Sequence, residues 1–139
     1  MSEENVEIVR RQIEGFQAGM ERGDPGAVFD AGTVAADAEW IVREGMDGRT
    51  VWTGREEFVQ FIRTWTEEFE SWSIQVERLI DAGEDRVVAL THQSGTGKGS
   101  GVPVELDLGL IYEVKDGRVI RITNYLTHDE ALETAGLSE

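Results

Sequence analysis

Few side chains in this sequence combine a suitable type with a suitable setting for chemistry. Of the two histidines, His92 lies in a β-patterned run, and its imidazole titrates near neutral pH, so it is the natural group to take a proton from a carbon acid beside a carbonyl. Asp107 is the nearest carboxylate on a neighbouring run. Alternation puts His92 on the face of Val88 and Leu90, which reads as the pocket face, and Asp107 opposite Leu106 and Leu108. Only a bulge near Gly109 would bring the two together, and otherwise Asp107 reads as an outer charge paired with Arg121. Asn124 shares the face of Ile120, Ile122 and Leu126, where a lone amide orients a ligand carbonyl or hydroxyl. Glu39 reads as a rim or paired carboxylate, and His128 stands at the start of the last helix, far from His92. No metal or other cofactor is expected. The run Gly95-Thr96-Gly97-Lys98-Gly99-Ser100-Gly101 lacks the spacing of a phosphate loop and has no helix after it, so it reads as a flexible hairpin loop.

Strands must hold these groups. RVVALTHQ from Arg86 alternates from Val88 onward, VPVELDLGLIY sets Val104, Leu106, Leu108 and Leu110 on one face, and RVIRITNYL returns after Lys115-Asp116-Gly117, a strong hairpin signal. On that last run Tyr125 falls with Arg121 and Thr123 on the outer face, and Gln93, Glu105 and Asp107 are placed there too. A longer strand holds Trp72, Ile74, Val76 and Ile80 before the turn Gly83-Glu84-Asp85. Upstream, Val6, Val9, Ile13, Phe16 and Met20 define an amphipathic helix ended by Gly23. Asp24-Pro25 opens a short second helix anchored by Val28 and Phe29. Asp37 to Val42 reads as a strand, Gly45 to Arg49 as a turn, and Thr50-Val51-Trp52 as a short segment. Residues 55–70 form a third helix with Phe58, Phe61, Ile62, Trp65 and Phe69 on one side, and Asp129 to Gly136 a short last helix with an acidic first turn.

The 139 residues fit one domain, spanning 1–139, and the fold class is α+β: a strongly curved antiparallel sheet, three helices in the N-terminal half closing a cone-shaped pocket, and a short C-terminal helix. There is no cysteine. Thirteen basic against 28 acidic residues give a net charge of −15, which repels nucleic acid and anionic membrane surfaces. No apolar run approaches the roughly 20 residues of a membrane span. The expected setting is the cytoplasm, with neither nucleic acid nor membrane as a partner.

Several strings, in this order, resemble the nuclear transport factor 2-like superfamily and its SnoaL-like branch: Glu21-Arg22-Gly23-Asp24, Asp37-Ala38-Glu39-Trp40, Gly54-Arg55-Glu56-Glu57, Lys115-Asp116-Gly117-Arg118-Val119, and Tyr125 followed by Glu130-Ala131-Leu132 and Ala135-Gly136-Leu137. The resemblance implies a cone-shaped pocket and often a homodimer through the outer sheet face. It covers ketosteroid isomerase-like enzymes, polyketide cyclases and epoxide hydrolases, so fold leaves function open. The isomerase machinery is missing: Phe16 stands where the family's Tyr would be, Val42 where its base would be, and Leu110 or Gly109 where its acid would be. No Arg accompanies Asp107 as the epoxide hydrolase-like pattern requires. The cyclase-like pattern, a His and an Asp on neighbouring strands, implies His92 and Asp107 as catalytic candidates.

The reading is therefore a pocket for a small, mostly apolar ligand. Its walls are Phe16, Trp40, Val42, Phe58, Ile62, Val88, Leu90, Leu108, Leu110, Ile122 and Leu126, and its polar features are His92 and Asn124. The alternatives are a cyclase or isomerase with His92 as acid or base, and a non-catalytic dimerisation module.

Overall fold

A computed structural model describes residues 2–24, 26–30, 32–42 and 50–137. The first helix, α1 (Ser2–Arg22), turns Val9 and Ile13 inward and ends at Gly23, whose φ of 75° suits a residue without a Cβ. A single helical turn follows, α2 (Ala27–Asp30), with Val28 buried. Pro25 and the expected turn at Gly45–Arg49 lie outside the described residues.

Strand β1 (Val34–Val42) pairs with β2 (Val51–Thr53), which leads at once into α3 (Gly54–Glu68). At that junction the Glu57 carboxylate accepts the Thr53 N–H at 2.7 Å, satisfying a donor the helix leaves open. No loop separates α3 from β3 (Phe69–Gly83): Phe69 is already extended at φ −128°, ψ 138°. The strand β4 (Arg86–Gly97) then pairs along its length with β3. The expected single strand at Val102–Tyr112 is two, β5 (Pro103–Leu106) and β6 (Gly109–Lys115), both paired with β4. The chain returns in β7 (Arg118–Tyr125) and finishes in α4 (His128–Thr134), capped by the Thr127 side chain accepting the Glu130 N–H at 3.1 Å.

The sheet runs β2-β1-β7-β6-β4-β3, with β5 beside β4, and is curved and open. It is mixed rather than purely antiparallel, because β1 lies parallel to β7 while the other pairs are antiparallel.

Both faces carry apolar residues. On the concave face Val87, Ala89, Leu110, Tyr112 and Ile122 pack with Val9 and Ile13 of α1 and with Phe58, Phe61 and Ile62 of α3. On the convex face Val88, Leu90, Ile111 and Tyr125 pack beneath Ala131 and Ala135, at α4 and its end. Here two expectations are corrected. Val88 and Leu90 are not pocket walls, because the face they share is the one α4 covers. Tyr125 is outward, as expected, but buried by this chain's own last helix. Among the described residues no helix is long and apolar enough to cross a membrane.

Candidate functional site: an apolar cone

Between the helices and the concave face lies a cavity of about 140 Å³. Helix α1 contributes Gln12, Ile13 and Phe16, α3 contributes Phe61, Ile62 and Trp65, and the strands supply Trp40, Val42, Trp72, Ile74, Gln93, Leu106, Leu110, Tyr112 and Asn124, with Leu108 and Leu126 from the adjoining turns. The rings meet one another closely. Trp40 stacks on Phe58 at a centroid distance of 4.3 Å, and Trp65 meets Trp72 edge-on at 4.8 Å.

Of the expected walls, Phe16, Trp40, Val42, Ile62, Leu108, Leu110 and Leu126 line this space, and Asn124 does so with them. Phe58 and Ile122 do not reach it; at 1% and 0% exposure they are core residues behind the wall. His92 is absent from the lining, and the amide of Gln93, assigned above to the outer face, stands there instead. The reason is phase. Val87 to Leu90 are all buried and apolar, so β4 carries no polar-out signal to say which alternate set faces the helices.

The polar residues of the cavity differ in how well they are satisfied. Gln93 is tied down: Trp72 Nε1 donates to its Oε1 at 2.8 Å, and its Nε2 donates to Thr91 Oγ1 at 3.1 Å. The buried oxygens Gln12 Oε1 and Asn124 Oδ1 have no hydrogen-bond partner among the described residues. Tyr112 is the one titratable residue among the described residues that line the cavity, and burial pushes its hydroxyl well above the ordinary tyrosine range, so it stays neutral. No described lining residue is a carboxylate, imidazole or cation.

His92 and Asp107 do meet, on the convex side. Leu90 pairs with Gly109 and Gln93 with Leu106, an unbroken register that sets His92 across from Asp107 without a bulge. His92 Nδ1 lies 2.7 Å from Asp107 Oδ1, and Nε2 lies 2.9 Å from Glu105 Oε1. The Asp107 hydrogen bond foremost, then that of Glu105, raises the imidazole above its usual range, and His92 in turn lowers Asp107. Asp107 therefore does not pair with Arg121, whose guanidinium binds Glu39 at 2.9 Å and Glu113 at 3.2 Å. Glu39 is the paired carboxylate the sequence suggested. Glu77, His92 and Asp107 bring ligand atoms within 4.8 Å of one another, and this is the described set with donors for a divalent cation, in competition with the hydrogen bonds already made to His92.

Sequence reasoning did not place Gln12, Ile13, Phe61, Ile74, Gln93, Leu106 or Tyr112 in the cavity wall. Tyr112 had a usable signal, since it continues the Leu106, Leu108, Leu110 alternation by one step. Gln12 had one too, lying beside Ile13 and one turn before Phe16.

The profile of the SnoaL-like domain matches residues 9–122. No curated protein is significantly similar to the chain in sequence. An NTF2-like protein of unknown function from Burkholderia pseudomallei superposes with a TM-score of 0.73 at 22% identity, over 94% of this chain and 95% of that one. A protein provisionally named as a SnoaL-like polyketide cyclase, from Jannaschia sp. CCS1, gives 0.73 at 23% identity over 99% and 94%. A ketosteroid isomerase-like fold from Catenulispora acidiphila, solved in complex with trimethylamine, gives 0.69 at 17% identity over 91% and 92%. Identities this low carry the fold alone.

Proposed function

Since this chain belongs to the SnoaL-like domain family, we propose that it is a binding protein whose cone holds one ring-sized, mostly apolar molecule. The observation that carries this reading is the 140 Å³ space walled by aromatic and aliphatic side chains, with no charged group among its described lining residues. An apolar cavity of about 150 Å³ accommodates one benzene-sized ring. A fused multi-ring skeleton is far larger and would have to project from the mouth or spread the helices. NMR titration with toluene, indane and a three-ring hydrocarbon tests the proposal. We expect the one-ring compound to shift the indole N–H signals of Trp40, Trp65 and Trp72, and Leu110→Phe, which fills the space, to abolish those shifts. If no compound moves those signals, the proposal is wrong.

A cyclase or isomerase is the second reading, favoured by the name of the Jannaschia relative. Acid–base catalysis needs a titratable group within hydrogen-bond reach of the reacting atom, and His92 lies on the other side of the sheet from the cavity. A homodimer through the outer face is a companion proposal. The exposed or half-exposed Glu77, His92, Glu105 and Asp107 on that face call for a polar, wet interface, and sedimentation velocity over a concentration series would test it.

A further inference from the structure

Granting that the cone binds a small molecule, we infer that its ligand is a neutral, one-ring alcohol or phenol, held by Gln12, Tyr112 and Asn124; this assignment rests on the reading above. Gln12 is only 1% exposed, yet its Oε1 has no partner among the described residues, and Asn124 Oδ1 is likewise buried and unmatched among them. Both residues line the same small cavity. Leaving such oxygens without a donor costs stability, so a site that keeps two of them is built for a group that arrives with a hydrogen to give.

The strand register supplies the third contact. Leu110 pairs with Asn124 and Tyr112 with Ile122, which makes Tyr112 and Asn124 diagonal neighbours on the concave face. The Tyr112 hydroxyl has no hydrogen-bond partner among the described residues and is a neutral donor. Gln93, by contrast, already has its oxygen engaged by Trp72 and its nitrogen by Thr91, so neither atom is orphaned.

Three functional groups can be compared at this site. A ligand carbonyl accepts from Tyr112 but leaves both amide oxygens without a donor. A carboxylate or an ammonium would be desolvated with no counter-ion among the described lining residues. A hydroxyl donates its one hydrogen to one of the two amide oxygens and accepts from Tyr112 at once, relieving one orphan where a carbonyl relieves none, and it keeps doing so if either carboxamide is turned over. The ring itself is limited to one by the cavity volume.

The test uses the full chain and compounds of one shape: toluene, 4-methylphenol, 4-methylbenzaldehyde, 4-methylbenzoate and 4-methylbenzylammonium, each titrated by NMR. We expect 4-methylphenol to bind about tenfold tighter than toluene, the worth of one or two net hydrogen bonds. In Asn124→Leu, which removes an unmatched buried oxygen, the gap should shrink to within about threefold while the thermal midpoint holds or rises. Should that variant fail to fold, Tyr112→Phe reads the same gap. Equal binding of toluene and 4-methylphenol, or tighter binding of the aldehyde, the benzoate or the ammonium, overturns the hydroxyl assignment and leaves the apolar cone intact. Binding by none of the five overturns both.

Discussion

Each titratable contact at His92 favours the charged form of a ring that sits outside the cavity. With Asp107 the main cause and Glu105 the second, the imidazole titrates above its usual 6.5. The sign follows: its favourable pairing is complete below 6.5 and is lost as the pH rises through the higher folded value. Because His92 is solvent-screened, the effect belongs in an NMR titration rather than a melting curve. We expect Asp107→Asn to lower the His92 titration midpoint, and a midpoint that does not move would remove Asp107 as the principal partner. His92→Ala should leave ligand affinity in the cone unchanged. At this scale the sequence was legible for Asn124 and Glu39. It was not for His92, because alternation gives two faces and only the placement of α4 says which is outside. The buried Phe58 was legible as apolar but not as core rather than wall. Phe58→Ala should cost about 3–5 kcal/mol in urea unfolding by removing the ring stacked on Trp40.

Helix α4 is the element the sequence described least fully. Its length and acidic start were readable, but its role as the cover of Val88, Leu90, Ile111 and Tyr125 depends on a close approach to β6. A Cβ on Gly109 would lie 2.5 Å from the Ala131 Cβ, so the helix can seat only against a glycine. Gly109→Val should therefore destabilise by about 1–3 kcal/mol and release α4, seen as loss of amide protection across residues 131–135 and gain of dye binding to the bared apolar face. Amide protection as strong as in the parent would show that α4 docks some other way. The split of the expected strand into β5 and β6 had no sequence mark, since Asp107 and Leu108 continue the alternation; Leu108 O instead accepts from both the Thr91 N–H and the Thr91 hydroxyl.

For the molecule as a whole, α+β architecture and element order were legible because helix and strand periods differ and glycine-marked turns separate most segments. The parallel pairing of β1 with β7 was not, since period-two patterns do not encode strand direction. A net charge of −15 on 139 residues makes self-repulsion a global term. Screening shortens from about 30 Å at 0.01 M salt to about 8 Å at 0.15 M. The thermal midpoint should accordingly rise between those salt concentrations, and a flat response would mean that the acidic groups are too dispersed to matter. The pairing of β1 with β7 also bears on how the protein is made. During synthesis Val34 emerges some 85 positions ahead of Val119, against which it is registered. Until the ribosome has released the final strand, the early ribbon β1–β2 has a bare edge, so the chain must finish its sheet late and nearly all at once, and premature termination before residue 118 would leave a sticky fragment rather than a smaller working protein.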